Sequence, residues 1–347
     1  MRRGLRFLFC LAGLALCSPL LGQNRVPKML AQIDSIARAR VDSQYIRIPP
    51  ERWMIRPFVQ SKFVSLGLRW SVEGQSNTLD YRPNRPSQVG AFVAYRRIGL
   101  GLSVGLPGTS RNLEQFGRTR HFDVQLFLFT RRWAADLSYV RYQGLFINNP
   151  RAIDPAWTGE QPHPQRSDLL LRFINFNGIW VFNSRRFSLR AATQQMEQQM
   201  RGAGSFLLLA GANFFSPRAD SSLIPHGSQP EPLPNQALWG GRLASVGFAP
   251  GYGRAFRVWR FFCTPLLFVG PTLQTGWVET EAGRSNLTER VGTRLQVQGT
   301  LGYYSERFFA GLLARYDNVQ YQQQRVGLAA NQYSIRLFAG WWLSKHN

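Results

Sequence analysis

Residues 121–140 read HFDVQLFLFTRRWAADLSYV. Apolar side chains occupy every second position from Phe122 to Leu128, with polar residues at 121, 123 and 125, and a similar alternation returns from 133 to 140. A period of two predicts half-buried β-strands, because successive side chains of a strand point to opposite faces. Arg131 and Arg132 leave room only for a tight turn, so the two strands should pair antiparallel.

The pairing register follows from the length of this turn. It places Leu128 opposite Ala135 and Leu126 opposite Leu137. The apolar faces of both strands then lie on the same side of the hairpin, and the polar faces lie on the other side. The two halves of the stretch therefore predict one consistent two-sided ribbon.

The same pattern recurs along most of the chain. Thirteen stretches read as strands: 55–70, 87–96, 97–106, 117–131, 132–147, 166–183, 184–198, 204–216, 241–255, 260–278, 287–303, 306–321 and 331–344. Bacterial single-chain barrels usually contain an even number of strands. The polar stretch within Thr193–Gly204 is the weakest candidate, so we predict about 12 strands.

The connections fall into two length classes, as in outer-membrane barrels with short periplasmic turns and longer external loops. Short turns are predicted at Arg96-Arg97, Arg131-Arg132, Asn183–Arg186, Ala255–Arg260 and Tyr304–Arg307. Long loops are predicted at 71–86, 107–116, 147–165, 217–240, 279–286 and 322–330. The proline, glycine and serine content of these long segments is typical of loops and does not indicate a second domain.

The number, length and aromatic ends of the strands favour apolar side chains facing outward and polar ones facing inward. Aromatic residues near predicted strand ends could form the interfacial girdles of a membrane barrel; they are Trp70, Trp133, Tyr139, Trp180, Trp277, Tyr303, Tyr316, Trp341 and Trp342. We therefore predict an all-β fold, a transmembrane antiparallel β-barrel of about 12 strands with a short N-terminal helical segment.

The first 22 residues predict export. They combine a basic start, the apolar run Leu8–Leu16 and a small residue before Gln23, which is typical of a cleaved signal peptide. Lipid attachment at Cys17 is the alternative. Removal of the signal leaves Cys263 as the single cysteine, so an intramolecular disulfide is excluded. The predicted location is the bacterial outer membrane.

Residues 23–52 form a predicted periplasmic N-terminal segment, and 53–347 form the barrel. Apolar residues at three- and four-residue spacings after Pro27 predict one short amphipathic helix; they are Met29, Leu30, Ile33, Ile36, Ala37 and Val41. The segment could be a tether packed against the barrel mouth, or it could be a plug or a periplasmic contact.

The formal net charge is +23, and 42 residues are Lys or Arg. Nearly all of these are arginine, since Lys28, Lys62 and Lys345 are the only lysines. Arginine binds phosphate through a planar fork of donors, so outer-membrane lipid and glycolipid phosphates are expected partners. Codon composition is an alternative origin of the bias. We also expect barrel-assembly machinery during insertion and no nucleic acid, and the oligomeric state stays open.

The polar side chains that are predicted to face the barrel interior would form either a hydrophilic pore whose arginines favour anions or a salt-bridged network that fills a narrow lumen. Its members are Asp123, Gln125, Asp136, Ser138, Arg172, Asn175, Asn177, Arg190, Arg294, Gln296, Gln298, Arg315, Asp317 and Arg336. Barrels of about 12 strands are narrower than open porins, which favours the filled lumen.

Catalytic chemistry finds little support in the sequence. His163 and His226 lie in proline-containing loops, and His346 lies next to the chain end. His121 would face Tyr142, too far along the strand from Ser138 for a serine–histidine pair. No close grouping of histidine, cysteine and carboxylates suggests a metal, and no cofactor is expected. A lipid-acting enzyme is the least favoured alternative.

Several short motifs are distributed along most of the mature chain: Asp42–Ile46, Ile55–Phe58, Leu79–Asn84, Phe127–Arg132, Tyr142–Gly144, Arg190–Ala192 and Gly202–Leu208. Together they resemble the uncharacterised DUF4421 proteins of Bacteroidetes bacteria. The resemblance implies an outer-membrane barrel and no established activity. From the residues we expect passage or binding of a small, anionic solute, with a structural or partner-binding barrel as the alternative.

Overall fold

The computed structural model describes residues 41–50, 53–84, 87–106, 108–287, 291–323 and 326–343. The predicted signal peptide and most of the predicted amphipathic helix lie outside these residues. The strands are β1 Ile46–Arg47, β2 Trp53–Val72, β3 Gln75–Arg82, β4 Gln88–Tyr95, β5 Ile98–Gly105, β6 Arg120–Phe129, β7 Trp133–Ile147, β8 Gln165–Val181, β9 Gln198–Gln199, β10 Ala203–Arg218, β11 Leu238–Val258, β12 Phe261–Thr280, β13 Gly283–Asn286, β14 Val291–Tyr304, β15 Phe308–Gln323 and β16 Val326–Leu343. Two short helices are α1 Leu113–Phe116 and α2 Leu189–Thr193, and Pro150–Ala152 forms a 3-10 turn.

Twelve strands form a closed antiparallel ring. Their order is β2, β4, β5, β6, β7, β8, β10, β11, β12, β14, β15 and β16, and β16 pairs with β2 to complete the ring. Strands β3 and β13 extend hairpins at one end of this barrel. Closure pairs the backbone groups of every ring strand with two neighbours, which leaves no free sheet edge. The predicted barrel fold and strand number are confirmed.

The two ends of the barrel differ. We call the end where Trp53 pairs with Leu343 the near end and the opposite one the far end. Short turns connect strands at the near end, at 96–97, 130–132, 259–260 and 305–307. The far end carries the long connections 106–119, 148–164 and 219–237.

Several predicted boundaries are wrong. Residues 184–198 are not a strand: they contain α2 and belong to a long near-end connection, 182–202. Asn183–Arg186 is therefore not a short turn. The predicted loop 322–330 is largely the continuation of β15 and β16, and much of 71–86 is the β2–β3 hairpin. The polar composition of these segments favoured loops. However, strands that extend beyond the apolar wall of the barrel can carry polar side chains.

The register of the β6–β7 hairpin is confirmed. Leu128 pairs with Ala135 and Leu126 with Leu137. The apolar side of this ribbon faces outward, where Leu126 is 43% exposed and Phe122 is 55% exposed. Contiguous exposed apolar surface of this kind requires a nonaqueous environment or a partner.

The barrel interior consists of three layers. A near-end apolar cluster contains Phe58, Phe92 and Phe268, and a far-end apolar cluster contains Trp70 and Tyr142. Polar side chains fill the layer between them. Trp70 and Trp342 are buried with 0% and 3% exposure, so these two residues do not belong to the predicted outward girdle. Within the described residues, no helix is both long and apolar enough to cross a bilayer.

Candidate functional site

The polar middle layer, which we call the polar belt, contains most of the predicted lumen residues. The structure places these buried and facing inward: Asp123, Asn175, Asn177, Arg294, Gln296, Gln298, Asp317 and Arg336. Four further predicted residues face inward and are partly buried: Gln125, Asp136, Ser138 and Arg315. Strand alternation explains this grouping. Successive side chains of a strand point to opposite faces, and each of these residues occupies a position that faces the lumen.

The most extensive ionic contact in the belt joins β14 to β15. The Arg294 guanidinium binds both carboxylate oxygens of Asp317, at 3.0 and 2.6 Å. Arg315 Nη2 lies 3.3 Å from the same carboxylate and also donates to Gln296 Oε1 at 3.2 Å. One carboxylate thus neutralises parts of two guanidiniums, so this cluster retains net positive charge.

A glycine makes room for this cluster. Gly211 lies on β10, where it pairs with Asn177 of β8. A Cβ at position 211 would collide with the Arg294 guanidinium and would lie 2.9 Å from Asn177 Oδ1. The absence of a side chain there lets the Arg294 guanidinium approach the part of the wall that β10 forms.

A second ion pair crosses the interior. Lys62 Nζ lies 2.6 Å from Asp123 Oδ2, and both residues are buried. Asp136 accepts a hydrogen bond from Asn177 Nδ2 at 3.0 Å. Burying charged groups is costly unless they are paired and hydrogen-bonded, so these contacts hold their strands in fixed register.

Two buried arginines receive glutamine rather than carboxylate partners. Arg336 donates to Gln60 Oε1 from Nε and Nη2, at 2.9 and 2.7 Å, and its guanidinium lies 4.2 Å from the Phe58 ring. Arg56 donates to Gln194 Oε1 and to Gln195 Oε1. The Arg56 guanidinium also contacts aromatic rings on two sides. Aromatic faces and amide oxygens stabilise these cations without neutralising them.

Arg172 does not line the lumen, which corrects the sequence prediction. It is exposed on the outer face of β8, whereas Asn175 and Asn177 of the same strand are buried inside. Arg172 and Ile174 are two residues apart on β8, so their side chains lie on the same, outward face of the strand.

Arg190 does lie inside the barrel, but on a different element from the predicted strand. The connection 182–202, which we call the plug, folds back into the near-end mouth and carries Arg190 on α2. Ser188 caps this helix by accepting a hydrogen bond from the Ala191 amide. The plug is tethered at both ends by the ring strands β8 and β10.

Glu197 is the centre of the plug's attachment to the wall. Its carboxylate lies 2.8 Å from Arg131 Nη1 and 3.2 Å from Arg190 Nη1, and it accepts a hydrogen bond from Ser188 Oγ. Burial acts to raise the pKa of Glu197, but Arg190, Arg131 and Ser188 outweigh this effect and hold the pKa below its usual value. Glu197 therefore stays ionised at neutral pH.

The described part of the N-terminal segment binds the plug. β1 pairs antiparallel with β9, so that Ile46 lies opposite Gln199. Gln199 Nε2 also donates to the carbonyl oxygens of Arg186 and Arg201, at 2.6 and 2.9 Å. Both ends of the plug are thus hydrogen-bonded to Gln199, and β1 pairs with the same part of the plug. The near-end closure is therefore one hydrogen-bonded unit.

The far end is closed by the connection 219–237, which we call the cap. Leu223 and Ile224 are fully buried among far-end apolar residues. The Tyr81 hydroxyl donates to the Leu223 carbonyl at 2.5 Å, and Trp70 Nε1 donates to the Pro230 carbonyl at 2.7 Å. The polar belt is therefore enclosed between plug and cap.

A small cavity remains within the belt. Its volume is about 60 Å³, and its polar lining includes Lys62, Gln298, Arg315 and Arg336. Gln298 Nε2 is buried and has no hydrogen-bond partner among the described residues. A cavity of this size can hold a few water molecules or one small anion.

The family model for DUF4421, a domain of unknown function, matches residues 40–342. The chain belongs to the DUF4421 family. No curated protein sequence matches it.

The fold of this DUF4421 protein is similar to solved outer-membrane barrels. The outer membrane protease OmpT from Escherichia coli is 9% identical with a TM-score of 0.39, over 86% of this chain and 98% of that one. The translocator domain of the autotransporter NalP from Neisseria meningitidis is 13% identical with a TM-score of 0.34, over 92% and 95%. The Pseudomonas putida toluene transporter TodX is 8% identical with a TM-score of 0.29, over 88% and 99%.

Several interior residues of this DUF4421 chain were not predicted from the sequence. Arg56, Gln60 and Lys62 are separated by even numbers of residues on β2, so strand alternation places all three side chains on the same inward face. Arg131 and Glu197 carry no comparable signal, since one lies in a turn and the other in a polar stretch without strand periodicity. Their burial follows only from the inward folding of the plug.

His121 lies on β6, two residues before the buried Asp123. Its ring stacks on Tyr142 at 6.1 Å between centroids, the partner expected from the hairpin register. Asp123, two residues away, binds Lys62 instead. Among the described residues no group of three or more histidine, cysteine or carboxylate side chains could hold a metal ion.

Proposed function

We propose that this protein is an outer-membrane β-barrel, exported by its N-terminal signal, that binds a small anionic solute within a closed lumen. The apolar outer face of the ring strands supports the membrane location, because a closed sheet leaves no backbone group unpaired in lipid. The short near-end turns would face the periplasm and the long connections the exterior. We propose no enzymatic activity.

The observation that carries the anion proposal is the cationic excess of the interior. Inward-facing cations of the belt and plug outnumber the carboxylates that accompany them. The cations are Arg56, Lys62, Arg131, Arg190, Arg294, Arg315 and Arg336, and the carboxylates are Asp123, Asp136, Glu197 and Asp317. An anion in the cavity would offset part of this charge in a low-dielectric interior.

The plug and the cap together determine whether bound solute could pass through the barrel. In the closed arrangement the plug fills the near-end mouth, and the cap covers the far end. Passage therefore requires displacement of the plug, whose attachment depends on the contacts of Glu197, and of the cap, whose Leu223 is buried in the far end. We propose that the closed barrel is the resting state.

A second candidate is a structural or partner-binding barrel with a permanently filled lumen. The cavity of about 60 Å³ between two closing segments favours this alternative. In that case the belt cations would serve only to connect strands through ion pairs and hydrogen bonds.

Planar-bilayer recording of the refolded full-length protein tests the proposal. The comparison uses the wild type, Glu197→Gln to release the plug, Leu223→Asp to open the cap, the two changes combined, and Glu306→Gln as a matched control in an exposed near-end turn. We expect rare openings of the wild type and of Glu306→Gln, and frequent anion-selective steps when Glu197→Gln and Leu223→Asp are combined. Adding Arg315→Gln to this double variant should reduce anion selectivity, because Arg315 lines the belt cavity.

Heat-modifiable migration on gels checks that every variant has folded as a barrel. A folded barrel that carries both Glu197→Gln and Leu223→Asp and stays silent would favour the permanently filled alternative. Cation-selective steps would overturn the proposal that the lumen binds an anionic solute. They would still agree with the proposed role of the plug in closing the near end.

A further inference from the structure

The outward face of β6, β7, β8 and β10 is layered across the four strands. Cross-strand partners define rows, and successive rows lie two residues apart, about 6.8 Å along a strand. Three consecutive rows contain only apolar, aromatic or glycine residues: Val124, Tyr139, Ile174 and Phe214; Leu126, Leu137, Phe176 and Ala212; Leu128, Ala135, Gly178 and Ala210. This surface suits the hydrocarbon region of a bilayer.

The next two rows toward the far end are cationic. The first joins Phe122, Arg141, Arg172 and Ser216, and the second joins Arg120, Gln143, Leu170 and Arg218. All four arginines are exposed. We call Arg120, Arg141, Arg172 and Arg218 the arginine patch. It begins where the apolar rows end, at the level of a lipid headgroup.

Two arginines of the patch oppose each other directly. Arg141 and Arg172 are register partners on adjacent strands, an arrangement in which like charges repel and destabilise a sheet. Arg141 donates to Gln143 Oε1 at 3.3 Å, which does not reduce its charge. In the described part of the chain, no carboxylate forms an ion pair with any of the four arginines.

The carboxylate nearest along β8 is already occupied. Asp168 accepts hydrogen bonds from Arg166 Nε and Nη2, at 2.9 and 2.8 Å, and one from the Asp220 amide. An exposed cationic pair without an internal counterion points to an external anion.

We propose that the arginine patch binds the phosphate groups of a phosphorylated glycolipid in the outer leaflet. Each guanidinium presents a planar fork of donors that matches phosphate oxygens. The patch extends across four strands, about 14 Å, which suits a sugar headgroup with more than one phosphate. The acyl chains of the same lipid would pack against the apolar rows below, beside Ile174 and Phe214.

The position of the patch favours a glycolipid of the outer leaflet over an inner-leaflet phospholipid. The patch lies toward the far end, which carries the long connections typical of the external side of such barrels. A ligand there would contact arginines from several strands at once, so its affinity depends on the wall and not on the lumen.

The test measures binding of bis-phosphorylated lipid A in mixed detergent micelles to the refolded full-length protein. The variant is Arg141→Gln with Arg172→Gln, and the control is Arg132→Gln with Arg254→Gln, which removes the same charge from exposed near-end positions. We expect the patch variant to bind lipid A at least about tenfold more weakly than the wild type, because each lost contact is a charge-assisted hydrogen bond. The control should bind like the wild type.

Thermal unfolding separates ligand binding from a folding defect. Without lipid A the patch variant should be as stable as the wild type or more stable, because the opposed charges are gone. With lipid A only the wild type and the control should gain stability. Equal binding by the patch variant would overturn the proposal, as would equal binding of dephosphorylated lipid A. Equal stabilisation by phosphatidylglycerol or inorganic phosphate would also overturn the assignment to a glycolipid.

Discussion

The Glu197 carboxylate lies 2.8 Å from the Arg131 guanidinium inside the near end of the barrel, and the contact joins the plug to the β6–β7 turn. Both side chains are almost completely removed from solvent. The same carboxylate binds Arg190 of the plug itself. One residue therefore stabilises the helix of the plug and its attachment to the wall.

Glu197→Gln should release the plug. Removing one partner from a buried ion pair typically costs about 3–5 kcal/mol, because the remaining charge is left uncompensated. Here two guanidiniums, Arg131 and Arg190, would lose their shared carboxylate. Limited trypsin digestion of the folded barrel should then cut after Arg190, which is protected in the wild type.

The control for this digestion is Glu306→Gln, which changes an exposed carboxyl in a near-end turn. Its cleavage pattern should match that of the wild type. Protection of Arg190 in a folded Glu197→Gln barrel would show that the plug is held by its packing and not by this ion pair.

Acidification should also weaken the plug. The folded pKa of Glu197 lies below the value of 4.5 for an ordinary glutamate carboxyl. Its stabilising effect is therefore complete above that pH and is lost as pH falls through the lower folded pKa. We expect constant protection of the plug from neutral pH to about pH 5, with loss only at lower pH as the Glu197 carboxylate becomes protonated.

An acid-stable protease must replace trypsin for the low-pH measurements, and Glu197→Gln provides the reference. That variant carries no titrating carboxyl at position 197, so its plug should be equally accessible at every pH. A transition of the same size in the variant would assign the effect to another group.

Asp317→Asn should destabilise the barrel wall. The change removes the charge that Arg294 and Arg315 share, at a cost of about 3–5 kcal/mol. Urea unfolding followed by tryptophan fluorescence measures the loss. Asp220→Asn, in the exposed far-end cap, should unfold at the wild-type urea concentration. Equal midpoints for the two variants would contradict a stabilising role of the Asp317 contacts.

Gly211→Val should displace the Arg294 guanidinium from its place against β10. The added side chain would occupy the space that the guanidinium now fills, so the cost combines steric strain with a weakened contact to Asp317. We expect a loss of about 1–3 kcal/mol in urea unfolding. Gly299→Val on β14 is the control, since a Cβ at position 299 has no heavy atom within 4 Å.

The two closures should act in series. Leu223→Asp places a charge in the buried contact of the cap and should open the far end, because an unpaired charge is not tolerated there. Alone it should leave the barrel closed at the plug. Combined with Glu197→Gln it should give a larger conductance than either change alone. A large conductance from Leu223→Asp alone would mean that the plug does not close the near end.

The barrel wall could be predicted from the amino-acid sequence. Alternation within each strand is a local property, so the hairpin of residues 121–140, its register and the inward parity of Arg294 and Arg336 could all be predicted. The alternation along β8 also indicates the observed position of Arg172, because Arg172 lies two residues from the apolar Ile174 and shares its outward face. The assignment of Arg172 to the lumen did not take this spacing into account.

The segments that close the two ends of the barrel could not be predicted in this way and are known only from the folded structure. The plug and the cap have no periodicity that marks them as buried, because their polar groups are satisfied by partners distant in sequence, such as Arg56 for Gln194 and Tyr81 for Leu223. Closing the ring brings these partners together. Whether a polar connection faces solvent or enters the lumen depends on the space and charge that the assembled strands enclose, and no single segment of the chain contains that information.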